Sequence, residues 1–112
     1  MPLYLLSDEW VFPSPDQADV EGLLAIGGDL SPQRLVLAYS TGIFPWYSDG
    51  DPILWWSPDP RLVLFPSELK VAARLRRTIR GGTLRITMDT EFKQVIRSCA
   101  GISRKQDKGT WI

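Results

Sequence analysis

The sequence predicts an α+β fold built from two small units, and three observations lead to that prediction. The first half alternates short apolar runs with turns rich in Pro and Gly. The second half spaces its apolar residues as helices and strands do. Between them, residues 57–61 form a connector whose two prolines forbid a helix or a central strand. We therefore expect the 112-residue chain to divide into units 1–60 and 61–112.

Short elements open the first unit. Residues 3–6, 11–12 and 23–26 are apolar patches in a segment rich in Pro, Asp and Gly, and they predict short strands separated by turns. Gly27-Gly28-Asp29 is typical of a turn. It does not match a phosphate-binding loop, because the Gly-Lys-Ser/Thr portion of that motif is missing.

A helix and a strand complete the first unit. Ser31 precedes Pro32, a pair that favours a helix start with Ser as the cap and Pro at the first helical position. We expect that helix to end at Gly42. Residues 53–56 are a short apolar run and predict a buried strand, with both of its tryptophans in the core.

The second unit has the more regular pattern. We predict a strand at 62–65, a helix that begins at Ser67 and ends at Arg80, and a strand at 83–88 with alternate residues on one buried face. A further helix, capped by Asp89 or Thr90, should end at Gly101. Its apolar residues follow the spacing i, i+3, i+4, i+7: Phe92, Val95, Ile96 and Cys99.

Charge is divided unevenly along the chain. Residues 1–60 carry one base and nine acids, whereas residues 61–112 carry twelve bases and four acids, although the formal net charge is zero. Such asymmetry suggests two units with different partners, the second facing a polyanion. The alternative is chance segregation on a solvated surface.

Composition excludes several kinds of chemistry. There is no histidine and a single cysteine, so Ser-His and Cys-His nucleophiles, His-ligated metals and internal disulfides are ruled out for this stretch, and we predict no metal site and no cofactor. We expect Cys99 to be a buried, inert thiol. No apolar run approaches the roughly 20 residues that span a bilayer, and the N-terminus lacks a basic signal region. We therefore expect a cytoplasmic protein with no membrane partner.

A basic face is the clearest functional feature of the predicted 67–80 helix. On a helical wheel, Lys70, Arg74 and Arg77 fall in one wedge, with Arg76 and Arg80 beside it. Guanidinium groups at this spacing suit a phosphate backbone. The alternative is a solvated helix face rich in good helix formers.

Two tryptophans are candidates for stacking. Trp46 follows a proline and Trp111 lies near a glycine, and a base or a bound side chain can stack on such rings. The alternative is that both fill a small core.

These residues lie within strings that resemble a known family. The strings are Gly22-Leu23-Leu24-Ala25-Ile26-Gly27-Gly28-Asp29-Leu30-Ser31, Ala38-Tyr39-Ser40-Thr41-Gly42-Ile43-Phe44-Pro45-Trp46, Ile53-Leu54-Trp55-Trp56-Ser57-Pro58-Asp59-Pro60-Arg61 and Gly109-Thr110-Trp111-Ile112. Their order is similar to that of leucyl/phenylalanyl-tRNA–protein transferases, and the resemblance covers nearly the whole chain.

The resemblance implies an activity and binding residues. The family moves Leu or Phe (sometimes Met) from aminoacyl-tRNA to the N-terminal Arg or Lys of a protein, which marks that protein for degradation. It implies a small N-terminal α/β domain at 1–60, and at 61–112 the first strands and helices of a GNAT-like acyltransferase domain. It also implies that Trp46 and Trp111 bind the aminoacyl-adenosine, and that the basic helix Lys70–Arg80 holds the tRNA.

The family pattern continues beyond Thr110-Trp111-Ile112 into the segments that carry its side-chain pocket and its proposed catalytic carboxylate. We therefore expect a truncated chain with no catalytic residue and no transfer activity of its own. Deprived of sheet partners, its second unit should be loose, domain-swapped or associated with a second copy. A stand-alone RNA- or peptide-binding module is the alternative function.

Overall fold

The fold is seen in a computed structural model that describes residues 3–102. The chain divides into two compact units, Met1–Val63 and Leu64–Ile112. Within the described residues, the secondary structure is mixed α and β, with one four-stranded sheet and three α-helices. The sheet and the first helix belong to the first unit, and the other two helices belong to the second.

A mixed sheet forms the frame of the first unit. Its strands are β1 (Tyr4–Leu6), β2 (Leu23–Gly27), β3 (Phe44–Pro45) and β4 (Leu54–Trp56). They lie in the order β1-β2-β4-β3, with β1 parallel to β2 and the other pairs antiparallel. The predicted patches at 3–6 and 23–26 are thus confirmed as strands, but 11–12 is not a strand. The long run between β3 and β4 folds back through a turn around Gly50, whose φ is +87°.

The core of the first unit is built around Trp55, whose side chain is completely buried. Leu24, Ala25, Ala38 and Ile43 are buried with it. Phe12 meets the Trp55 ring edge-on, with the ring centroids 4.9 Å apart. The Trp55 indole N–H donates to the Gly27 carbonyl at 2.9 Å, so its polar atom is satisfied inside the core. The predicted burial of Trp55 is confirmed, whereas its neighbour Trp56 is only partly buried.

Helix α1 (Pro32–Ser40) forms where the Ser31-Pro32 pair predicts it. The Ser31 hydroxyl accepts a hydrogen bond from the Arg34 backbone N–H at 3.4 Å, which caps the first turn. The helix ends two residues before Gly42, a glycine whose φ is +77°. The backbone N–H of Ile43 then donates to the Ala38 carbonyl, which directs the chain into β3.

The second unit contains α2 (Ala73–Arg80) and α3 (Phe92–Gly101). Helix α3 lies where the apolar spacing predicts it. The prediction of one helix from Ser67 to Arg80 is wrong at its start: a short 3₁₀ turn occupies Pro66–Glu68, and α2 begins only at Ala73. Lys70 therefore lies before the helix and not on its basic face.

The two strands predicted for the second unit, at 62–65 and 83–88, are absent from the described residues. Both segments have strand-like composition, but a strand needs a partner to accept and donate its backbone hydrogen bonds. Cys99 also differs from its prediction, because it is half-buried and not buried.

Gly22 offers a stability test, because a side chain there would collide with backbone. Its φ is +97°, and a Cβ would lie 2.7 Å from the Pro58 Cα. Gly50 is the matched control: its φ is +87°, but a Cβ would meet nothing within 4 Å. We expect Gly50→Ala to lower the free energy of unfolding by about 1–2 kcal/mol through backbone strain alone. Gly22→Ala should lower it by about 2 kcal/mol more, because of the added overlap.

Urea unfolding followed by tryptophan fluorescence measures both variants against the parent chain. Equal losses for the two alanines would contradict the close approach of Gly22 to Pro58.

Candidate functional site

Trp46 combines a fixed backbone with partial exposure to solvent. It directly follows β3, and its backbone N–H donates to the Leu54 carbonyl at 2.9 Å. Its own carbonyl accepts the indole N–H of Trp56 at 2.7 Å. The Trp46 side chain is nevertheless 50% exposed. The β3–β4 pair therefore holds a half-exposed residue at a defined position.

Arg61 supports the strand that leads to Trp46. Its guanidinium donates to the Gly42 carbonyl at 2.8 Å and lies 5.4 Å from the centre of the Phe44 ring. These two contacts connect the end of the predicted connector to the start of β3. Sequence reasoning did not single out Arg61; its place at the end of the Trp-Ser-Pro-Asp-Pro string was the available signal.

Arg34 is the second residue that sequence reasoning missed. It is completely buried, although it is the one basic residue among the first 60. Its guanidinium donates to the Ser7 carbonyl at 2.7 Å and pairs with Asp29 at 3.4 Å. The ring of Phe12 lies 5.9 Å from it. Its Nε and Nη1 have no hydrogen-bond acceptor among residues 3–102. Only some of the N–H donors of the guanidinium are therefore hydrogen-bonded.

The turn before α1 is shaped around this arginine. Gly28 has a φ of +74°, and a Cβ there would lie 3.1 Å from the Arg34 guanidinium carbon. Asp29 then turns back, and its carboxylate accepts the Ser31 backbone N–H at 2.8 Å. Hydrogen bonds from Ser31, first from its side chain and then from its backbone, lower the pKa of Asp29, and Arg34 lowers it further. The predicted Gly27-Gly28-Asp29 turn is confirmed, with a structural role.

A cluster of exposed arginines covers most of α2. At about 100° per residue, Arg76, Arg77 and Arg80 are neighbours around the helix and Arg74 extends the same arc, while Leu75 and Ile79 lie on the other side. Within residues 3–102, none of these arginines pairs with a carboxylate, since the ion pair found there joins Arg34 and Asp29. The basic face thus begins at Arg74. Lys70, predicted as part of it, precedes the helix.

The predicted site residues are therefore distributed over different parts of the chain. Trp46 belongs to the first unit and the α2 arginines to the second, while Trp111 lies outside the described residues. In the part of the chain that the structure describes, no group of three or more His, Cys, Asp or Glu side chains could hold a metal ion. No helix there is long and apolar enough to cross a membrane.

Comparisons with known proteins give a consistent result for both units. The family model described as leucyl/phenylalanyl-tRNA protein transferase N-terminal domain matches residues 28–59, and the model described as leucyl/phenylalanyl-tRNA protein transferase matches residues 63–112. Proteins named leucyl/phenylalanyl-tRNA–protein transferase from Solidesulfovibrio magneticus and Anaeromyxobacter sp. are each 59% identical over 112 residues. The one from Oleidesulfovibrio alaskensis is 60% identical.

Each of these matches covers all of this chain but only 45%, 48% and 45% of the respective relative. The chain therefore spans about half the length of the curated relatives that it matches.

The lowered pKa of Asp29 leads to a pH prediction. A carboxylate whose pKa is lower in the folded state stabilises the fold at pH values above its usual pKa of 3.8, and this contribution is lost as the pH falls through the folded value. We expect Asp29→Asn to reduce the free energy of unfolding by a constant amount near neutral pH. The difference from the parent should shrink below about pH 3.8.

Urea unfolding at a series of pH values measures this difference. Asp8→Asn, which removes another exposed carboxylate from the same unit, is the matched control variant. If the parent and Asp29→Asn lose stability in parallel on acidification, the hydrogen-bonded Asp29 carboxylate does not contribute as described.

Proposed function

The chain belongs to the leucyl/phenylalanyl-tRNA–protein transferase family. From this premise we propose that it takes part in an aminoacyl transfer. In this reaction Leu or Phe, and sometimes Met, passes from tRNA to the N-terminal Arg or Lys of a protein. Such a transfer marks the acceptor for degradation. The observation that carries the proposal is 59–60% identity to three proteins of that name along the whole chain. The half-exposed Trp46 and the exposed arginines of α2 support it, because these residue types suit a nucleotide and a phosphate backbone.

The same proposal assigns each half of the chain to a domain of the family. Residues 1–60 would be the small N-terminal domain of the family, and residues 61–112 the beginning of a GNAT-like domain. We assign the protein to the cytoplasm because its proposed substrate, aminoacyl-tRNA, is found there.

The transfer reaction needs little catalytic assistance, because an aminoacyl ester is already activated. The free α-amine of the acceptor attacks the ester carbonyl, an amide bond forms, and the ribose oxygen of the tRNA leaves with a proton. No ATP or other cofactor is needed for that step. Acceleration comes mainly from holding the two substrates together. We assign no catalytic residue to this chain; its proposed contribution is to bind and orient the tRNA.

Two features would perform that binding. The Trp46 ring offers a surface on which the terminal adenosine can stack, with Trp111 proposed as its companion; base–aromatic stacking contributes about 1–3 kcal/mol per base. The guanidinium groups of α2 would pair with tRNA phosphates. Lys70, although outside the helix, is close enough in sequence to extend the same basic region. Arginine is suited to this role because its planar fork matches two phosphate oxygens.

A stand-alone binding module for RNA or peptides is the alternative function. The charge of residues 61–112 favours RNA as the ligand of such a module. The same chain could also associate with itself through the unpaired segments of its second unit. Activity and size measurements separate these possibilities, because a module binds without transferring anything.

Salt dependence should reveal the basic face of α2. We expect this chain to bind Phe-tRNA with an affinity that falls as salt rises, since each phosphate contact contributes about −0.7 to −0.9 to the slope of log K against log salt. The double variant Arg74→Gln, Arg77→Gln should reduce the magnitude of that slope by about 1 to 2. The double variant Lys93→Gln, Arg97→Gln removes two exposed charges from α3 and should change the slope far less.

Tryptophan fluorescence measures these affinities, and two further variants test the stacking residue. Trp46→Ala should weaken binding by about tenfold or more. Trp10→Ala is the matched control, because Trp10 is exposed to a similar extent, 54% against 50% for Trp46. Equal effects of the two alanines, or equal slopes for the two double variants, would contradict the proposed contacts.

Transfer by the isolated chain should be undetectable, because the residues assigned to it bind tRNA and do not complete a reaction site. The assay incubates the chain with radiolabelled Leu-tRNA and a peptide that begins with Arg, and measures labelled peptide. The relative from Solidesulfovibrio magneticus serves as the positive control. Labelled peptide formed by this chain alone would refute the assignment.

A further inference from the structure

Two adjacent tryptophans on β4 use their indole groups in different ways. Successive residues of a strand point to opposite faces of the sheet, so Trp55 and Trp56 face apart. Trp55 is completely buried and donates its indole N–H to the Gly27 carbonyl on β2. Trp56 is only partly buried, and its indole N–H donates to the Trp46 carbonyl at 2.7 Å. The core of the first unit therefore accounts for Trp55 but not for Trp56.

The backbone around Trp46 receives little support from the sheet ladder alone. Strand β3 consists of only two residues, Phe44–Pro45. Pro45 has no N–H and cannot donate to the neighbouring strand. Trp46 lies directly beyond the end of β3, where its own N–H donates to the Leu54 carbonyl at 2.9 Å. With so few ladder bonds nearby, any further bond to the Trp46 backbone has a strong effect on its position.

Trp56 supplies such a bond from across the sheet. It lies directly opposite Phe44 in the antiparallel pair, so its indole reaches diagonally to the residue two positions further along. The peptide groups on both sides of the Trp46 Cα are thereby hydrogen-bonded, one to Leu54 and one to Trp56. Because peptide groups are planar, holding both of them fixes the direction of the Cα–Cβ bond. The Trp46 side chain is then left with a choice among staggered rotamers.

We infer that Trp56 is a positioning residue for Trp46 in the binding of aminoacyl-tRNA. The inference rests on the proposed function, in which the terminal adenosine stacks on the Trp46 ring. Trp56 acts through the Trp46 backbone and not by contact with the nucleotide. A ring held in one direction loses less conformational entropy when a base stacks on it than a ring on a mobile backbone. Loss of the Trp56 N–H should therefore weaken binding even though Trp46 is still present.

A purely structural role for Trp56 is the alternative, and the two roles differ in their dependence on Trp46. A residue that aims the Trp46 ring can affect binding only while that ring is present. A residue that merely stabilises the first unit affects binding whether the ring is present or not. A double-mutant cycle between the two positions separates these cases, because it measures whether their effects on binding are independent.

Filter binding of radiolabelled Phe-tRNA to this chain measures the dissociation constant for each variant. Trp56→Phe keeps an aromatic ring and removes the N–H, and should raise the Kd by about three- to tenfold, the range for one hydrogen bond. Trp10→Phe is the matched control, because it makes the same change at a tryptophan of the same unit that is 54% exposed, and it should leave the Kd unchanged. In a chain that carries Trp46→Ala, Trp56→Phe should change the Kd by less than about twofold.

Each contrary outcome identifies which statement is wrong. Equal weakening by Trp56→Phe with and without the Trp46 ring would show a purely structural role and overturn the inference. An unchanged Kd for Trp56→Phe, alongside weaker binding by Trp46→Ala, would overturn the inference and leave the stacking role of Trp46 intact. An unchanged Kd for Trp46→Ala would overturn the stacking role itself, and this inference with it.

A measurement on the unsubstituted chain does not depend on whether the variants fold. In a chain with isotope-labelled tryptophan, nuclear magnetic resonance follows each indole N–H separately. The Trp56 indole should exchange its proton with solvent more slowly than the Trp10 indole, and its resonance should shift when Phe-tRNA is added. A Trp56 indole that exchanges as fast as that of Trp10, or that does not respond to Phe-tRNA, would overturn the inference.

Discussion

Burial of the Arg34 guanidinium is the constraint on which the first unit depends. The Arg34 side chain is completely buried. Burying a charged group costs free energy unless protein groups neutralise its charge and accept its hydrogen bonds. The Ser7 carbonyl and the Asp29 carboxylate contact Nη2, and the Phe12 ring lies beside the guanidinium, while Nε and Nη1 have no acceptor among residues 3–102. Arg34 thereby connects the end of β1, the turn after β2 and the first turn of α1, while Gly28 leaves room for it.

From this arrangement the position of Trp46 follows step by step. Phe12, held near Arg34, packs edge-on against Trp55, the centre of the core. Trp55 lies on β4, which pairs with β3, and Trp46 directly follows β3. The Trp56 indole then fixes the Trp46 carbonyl. The Trp46 backbone is thereby held on both sides, by the Leu54 carbonyl and by the Trp56 indole.

The second unit has the opposite character. It has formed helices but no buried core within the described residues, and its two useful surfaces lie on separate helices: arginines on α2 and an apolar stripe on α3. Arginines that bind a polyanion function while exposed, whereas an apolar stripe is stabilised only when another polypeptide covers it. The two surfaces therefore differ in chemistry: the α2 surface is charged and the α3 surface is apolar.

The sequence by itself determined the structures whose hydrogen bonds are local. Ser31-Pro32 fixed the start of α1, the 92, 95, 96, 99 spacing fixed α3, and Gly27-Gly28 fixed a turn. Only the tertiary structure decided that Arg34 is buried, that Lys70 precedes α2, and that 62–65 and 83–88 are not strands. A helix satisfies its backbone within four residues, whereas a strand or a buried charge depends on partners that come from distant parts of the chain.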